Sequence, residues 1–123
     1  MINDSGTIPG VSFDDNGVND AWIRYSDRTV VSFDVMDAGE ASGQGTLATA
    51  ANVAGDTAGT YYDAKGVSRG FVRSKQGKIT VDVPGHGAYP RQGVTAANSI
   101  NAGGAVVGWY FDSNFAYHGY IYK

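Results

Sequence analysis

The sequence predicts an all-β fold of tandem four-stranded antiparallel meanders, β-propeller-like in its period, and three observations predict it. The first is composition: 18 Gly, eight Tyr, five Phe and two Trp accompany only 17% charged residues, a balance that favours strands over helices. The second is a set of short apolar–polar alternating runs separated by Asn, Asp and Gly. The third is internal repetition. Asn3, Asn52 and Asn101 lie 49 residues apart, and the same step links Gly6, Gly55 and Gly104, then Gly10, Gly59 and Gly108, then Asp14, Asp63 and Asp112. A period of four or five tens of residues is that of a four-stranded propeller blade. A ten-stranded barrel or sandwich is the alternative architecture.

Each unit reads as four strands. The first spans about 7–13 with copies at 56–62 and 105–111, and it ends in the Asp column. Asp14-Asp15-Asn16-Gly17 makes the turn into a second strand at 19–25, copied at 68–74 and 117–122. A short turn leads to the third strand, near 29–35 and 78–83. A loop containing Gly39, or Pro84-Gly85, then leads to a fourth at 45–51 and 93–100. For this second half the best match of sequence is an offset of 48, pairing Val31–Val35 with Ile79–Val83 and Gly45 with Gly93. The Ala-rich stretches 46–53 and 94–99 admit a helical turn, but flanking Gly and internal Thr, Asn and Val favour strand. The closing Asn-x-x-Gly is a type I turn ended by a left-handed Gly. The chain is thus one repeat domain of units 2–50 and 51–99 and a partial unit 100–123. Mid-strand Gly10, Gly59 and Gly108 mark a close approach of another backbone, or a bend, as where the innermost strands of a propeller converge on its axis.

The totals exclude several functions. Nine Lys+Arg against 12 Asp+Glu give a net charge of −3, without the basic stripe of a nucleic-acid binder. The sequence has no run of about 20 apolar residues for a membrane helix. Zero Cys removes disulfides, thiol chemistry and Cys-based zinc sites. The first six residues hold no basic segment followed by an apolar core. That fits an intracellular protein or a mature fragment with an added start Met, and the repeat favours the second.

The segment Ile100-Asn101-x-x-Gly104-x-Val106-Val107-Gly108-x-Tyr110-x-Asp112, followed by His118-Gly119-Tyr120, resembles the bacterial extracellular HAF repeats. Residues 51–71 repeat it, and Asp82-Val83-Pro84-Gly85 is similar to that family's linker. Asp20 and Arg69 depart from the motif at the position of His118. The resemblance covers essentially the whole chain. It implies a propeller-like β structure and an extracellular or cell-surface location, and it brings no catalytic residues with it. Two and a half units cannot close a propeller, so association of copies into a homo-oligomer is expected, two chains supplying five units.

Candidate site residues fall into three groups. Asp14, Asp63 and Asp112 form an expected rim of carboxylates, able to bind a hard cation such as Ca²⁺ or to act as acid and base on a sugar. Asp14-x-Asn16 with Asp20 sketches part of a calcium loop without EF-hand spacing, so no cofactor is assigned. Against this, an Asp that recurs in a turn is what backbone capping requires. His118, among Tyr110, Tyr117 and Tyr120, and His86 in a Pro/Gly loop are the two imidazoles. The third group is aromatic: Trp109, Tyr110, Phe111, Phe115, Tyr117, Tyr120 and Tyr122 can stack on sugar rings or form core or interface. Alternation puts Trp109 and Phe111 on one face and Tyr110 on the other. Gly66-Val67-Ser68-Arg69-Gly70 spells a nucleophile elbow, but it sits in a hairpin whose counterpart 17–21 has no Ser. The G-x-G-x-x-A at 43–48 has no βαβ unit around it. The reading is a secreted non-catalytic module that binds a glycan or surface ligand at Trp109, Tyr110, Tyr117, His118 and His86, or self-assembles. The alternative is a small polysaccharide hydrolase using the carboxylates.

Overall fold

The apolar–polar alternation is realised as ten strands: β1 (Ile8–Phe13), β2 (Asn19–Arg24), β3 (Val30–Phe33), β4 (Gly45–Ala51), β5 (Thr57–Tyr62), β6 (Ser68–Arg73), β7 (Ile79–Val83), β8 (Thr95–Ile100), β9 (Val106–Phe111) and β10 (Tyr117–Tyr122). The computed structural model describes residues 2–83, 95–112, 114 and 116–123, with the backbone alone for 81–83. Among these the protein is all-β, without a helix and without a closed barrel. The Ala-rich runs are strands β4 and β8, as turn chemistry and β-branched residues required. Pro84-Gly85, Gly93, His86 and Phe115 lie outside the described residues.

Hydrogen bonding groups the strands as β1-β2-β3, β4-β5-β6-β7 and β8-β9-β10, each an antiparallel meander. A single parallel bridge, Asn19 to Gly45, joins the first two into one seven-stranded sheet. The fourth strand of each sequence unit therefore opens the next meander, so the described meanders have three, four and three strands. The offset of 48 is also corrected. Val30 lies opposite Arg24 as Ile79 lies opposite Arg73, and Thr46 opposite Tyr61 as Thr95 opposite Tyr110. The step is 49 there too. An irregularity beside Gly70 shifts the β6–β7 register by one residue, so that Val83 lies opposite Gly70, and β4 and β8 carry matching bulges before Ala50 and Ser99.

The glycine column keeps one environment in all three copies. Gly10, Gly59 and Gly108 lie opposite Trp22, Phe71 and Tyr120, and a Cβ on any of them would strike that ring. In the second and third copies it would also strike the carbonyl oxygen of Leu47 or Ala96. The absent side chain lets a cross-strand aromatic lie flat over the sheet.

Sheet faces stack in series. Ala50, Ala58 and Val72 of the second meander meet Ala97, Ile100, Val106 and Tyr122 of the third. Tyr61, Phe71 and Ile79, on the other face of the second meander, meet Phe33, Val35 and Ala38 that follow from the first. Phe33 packs edge-on to Phe71 at 5.9 Å, and the Arg73 guanidinium lies 4.7 Å from the Phe33 ring centre.

The stack is stitched by the asparagine column. Asn3, Asn52 and Asn101 each close their turn, with Oδ1 accepting from the amides of Thr7, Asp56 and Ala105 at 3.0, 2.9 and 2.9 Å. The amide nitrogen of Asn3 then donates to the Asn52 carbonyl at 2.9 Å, and that of Asn52 donates to the Asn101 carbonyl at 3.1 Å. Each rung crosses from one meander to the next.

The hairpins share one design. The residue that begins the turn accepts from the amide three positions on, as Asn3 does from Gly6, Asp14 from Gly17, Asn52 from Gly55 and Ser74 from Gly77. The third position has positive φ, and Gly occupies it everywhere described except Arg28, at φ 71°, the equivalent of Gly77 at 94°. A left-handed L-residue costs roughly 1–2 kcal/mol, partly offset by the lower unfolded-state entropy of a non-Gly residue. Arg28→Gly should therefore stabilise the protein by about 0.5–1 kcal/mol, read as a higher urea midpoint at unchanged slope; a lower midpoint would contradict the turn assignment.

Candidate functional site

Turn chemistry decides what the carboxylate column does. Asp14 Oδ1 accepts from the amides of Asn16 and Val18 at 2.8 and 2.9 Å, Asp63 Oδ1 from Lys65 and Val67 at 2.9 and 3.0 Å, and Asp112 Oδ1 from Asn114 and Ala116 at 2.8 and 3.0 Å. All three cap their own hairpins, and no hydrogen bond among the described residues joins one to another. No group of three or more His, Cys, Asp or Glu side chains among those residues is arranged to hold a metal ion.

The second carboxylate oxygen varies with the residue six positions on. Asp63 Oδ2 meets Arg69 Nε at 3.3 Å, and Asp112 Oδ2 meets His118 Nε2 at 2.7 Å. Desolvation pushes the Asp63 carboxyl up, but the amides of Val67 and Lys65 and the Arg69 guanidinium together hold it below its ordinary value. The His118 hydrogen bond, helped by the amides of Ala116 and Asn114, holds Asp112 below its ordinary value. Burial works the other way at two further groups. It raises Asp34, against a hydrogen bond from Thr46 and with a push from Asp20. It also raises the Tyr120 phenol to about 12, and that hydroxyl donates to the Ala96 carbonyl at 3.1 Å.

As alternation along β9 places them, Trp109 and Tyr110 lie on opposite faces, and β10 adds Tyr117 to the side of Trp109 and His118 to that of Tyr110. Tyr110 stacks on His118 with ring centres 5.1 Å apart, beside Asp112. On the opposite face Trp109 packs edge-on to Phe111 at 5.6 Å and to Tyr117 at 5.2 Å, while Phe111 and Tyr117 lie 4.1 Å apart. These three rings brace one another. His86 lies outside the described residues.

Trp109 also lines a cleft of about 350 Å³ with Val11, Leu47, Thr60, Tyr62 and Ser68. Residues from all three meanders contribute to it. Its walls combine aliphatic surface and an indole with the hydroxyls of Thr49, Thr60, Tyr62 and Ser68, and among the described residues they carry no carboxylate, imidazole, ammonium or guanidinium. Sequence reasoning found Trp109 but missed this cleft, because Val11 and Thr60, the 49-step equivalents of Trp109, share no side-chain chemistry with it. Ser68, the serine of the rejected elbow motif, is buried and directs its hydroxyl to the Thr95 carbonyl at 3.4 Å. That is the role of a strand-joining serine.

Comparison with known proteins gives no match: no family model, no curated protein and no solved structure is similar to the chain.

The carboxylate at Asp112 has a testable pH signature. Its folded-state pKa is depressed, so its contribution to stability is present above the unfolded value near 3.9 and fades as pH falls through the lower folded value. In a carboxyl-carbon NMR titration, His118→Ala should raise the Asp112 midpoint while leaving it below about 3.9, because the two turn amides remain. An unmoved midpoint would remove the ion pair from the account.

Proposed function

We propose that this chain is a non-catalytic repeat module, propeller-like in its construction and working outside the cell or at its surface, that binds a glycan at the cleft beside Trp109. One observation carries the reading. The cleft joins an indole and aliphatic walls to four hydroxyl-bearing residues, and among the described residues its walls hold no carboxylate or imidazole to serve as acid and base. Sugar rings offer an apolar C–H face to an aromatic ring and hydroxyls to short polar side chains, so such a wall suits an uncharged carbohydrate. At about 350 Å³ the space lies at the small end of ligand pockets, roughly 300–1,000 Å³, and fits a short saccharide better than a long chain. The edge-on rings of Phe111 and Tyr117 hold the indole in place, which lowers the ordering cost of binding. The likeness of residues 100–120 to HAF repeats supports the extracellular setting.

The hydrolase reading needs two carboxyls of different pKa at a fixed separation across a substrate. Here the Asp column serves turns, and two of its three members are held toward the ionised form. That supports binding over turnover.

A neutral-glycan array followed by calorimetry tests the proposal. Saturable binding without released reducing sugar is expected, and Trp109→Ala should weaken it by about tenfold or more, the effect of losing roughly 1.4 kcal/mol or more. Unchanged affinity in that variant, or release of reducing sugar abolished by Asp63→Asn, would overturn it.

A further inference from the structure

The first two meanders share a turn but differ by one carboxylate. Asn3, Thr7 and Ser26 of the first stand 49 residues before Asn52, Asp56 and Lys75 of the second. In the second meander Asp56 Oδ1 accepts from the Lys75 amide at 3.0 Å, and Oδ2 accepts from Asn52 Nδ2 at 3.2 Å. The first meander keeps the geometry. A Cβ at Gly6 would lie 3.4 Å from Ser26 Cβ, as one at Gly55 would lie 3.5 Å from Lys75 Cβ. Thr7, however, is too short to do what Asp56 does, and its Oγ1 lies 3.1 Å from Ser5 Oγ instead. The Ser26 amide is left without a hydrogen bond among the described residues.

Ser26 lines a cleft of about 340 Å³ at the joint between these two meanders, with Ser5, Thr7, Asp27, Thr29 and Lys75 among its walls. Lys75 comes from the second meander. Its stem lies against Gly55, where a Cβ would stand 3.2 Å from Cγ and Cδ. Its ammonium makes no hydrogen bond or ion pair among the described residues. Asp27 comes from the first meander, and its Oδ1 accepts from the Thr29 amide at 2.8 Å. That bond, with help from the Thr29 hydroxyl, holds the Asp27 carboxyl below its ordinary value. It is therefore ionised at neutral pH. The cleft thus presents one cation, one anion and an open N–H, and among the described residues the two charges do not pair with each other.

We propose that this cleft binds a small α-amino acid. The ligand carboxylate takes the place that Asp56 fills in the second meander, accepting from the Ser26 amide with the Lys75 ammonium beside it. The ligand ammonium pairs with Asp27. The protein's own second meander shows that a carboxylate suits this position, because one already sits there on the equivalent amide. Asp27 decides which carboxylate. A simple acid would bring its charge beside that of Asp27 with nothing to compensate it, whereas a zwitterion answers both walls. The space is small for a ligand pocket, near the lower end of roughly 300–1,000 Å³, as a single amino acid requires. This inference does not rest on glycan binding, since the cleft shares no residue with the one beside Trp109.

Amide proton–nitrogen NMR spectra of the 123-residue chain, titrated with L-alanine and with propionate, test it. Alanine should shift the Ser26 amide saturably. Propionate, which differs in lacking the ammonium, should bind roughly tenfold or more weakly. A Ser26 amide that moves with neither compound would overturn the site, and equal affinity for the two would overturn the choice of an amino acid. Thr7→Asp should supply the missing carboxylate from the chain itself, so the Ser26 amide moves without ligand and alanine binding is lost. Lys75→Gln should weaken alanine by about tenfold, and it carries the comparison if Thr7→Asp does not fold by circular dichroism. Full alanine affinity in Lys75→Gln would contradict the proposal.

Discussion

The structure depends on a carboxamide that accepts and donates at once. In the turn that opens each repeat, Asn Oδ1 takes the backbone amide four residues on, and in the first two copies Nδ2 crosses to the next meander's asparagine carbonyl. An Asp could cap such a turn but could not make the crossing bond. The other hairpin shows the contrast. There Asp14, Asp63 and Asp112 cap the same geometry and need no donor, and their free oxygens take Arg69 or His118 where one is present. Chemistry, and not turn type alone, therefore assigns Asn to one column and Asp to the other.

With the meanders held at this fixed step, small residues can form the interior between them. Ala50, Ala58 and Ala97 make a thin joint at one end of the stack, while Tyr61, Phe71 and Phe33 fill a thicker one on the other side of the second meander. The glycine column lets Trp22, Phe71 and Tyr120 lie across the sheet rather than stand away from it. Close sheet-to-sheet contact follows from the absence of three side chains. Buried polar side chains finish the joints: Thr46 Oγ1 accepts from the Val35 amide at 3.0 Å, and the Asn19 side-chain amide donates to the Gln44 carbonyl at 2.6 Å.

Much of this was legible in the residues because period, turn and alternation agree with one another. The four invariant columns located every Asn and Asp turn, and the mid-strand glycines marked the sites of close approach. Two features were not legible. The third strand was matched one residue out of step, since Val30-Val31 and Ile79-Thr80 present no clear alternation, and a slip of one reverses the face of every side chain. The grouping of strands was displaced as well, because repetition in sequence does not state whether the fourth strand bonds backward or forward. The candidate site was legible residue by residue but not as a place. Alternation separated Trp109 from Tyr110, but the cleft draws on Val11 and Thr60, which carry no signal of their own.

Asn52→Asp is the most direct test of the ladder, because it preserves the capping oxygen and removes the nitrogen that donates across to the Asn101 carbonyl. Asn52 is buried, and its amide nitrogen also lies 3.2 Å from an oxygen of Asp56, so the new carboxylate would face both an unpaired carbonyl and a like charge. Urea unfolding at neutral pH should show a loss of about 3 kcal/mol or more. A loss under about 0.5 kcal/mol, the range of ordinary surface substitutions, would show that the meanders are held together without the asparagines.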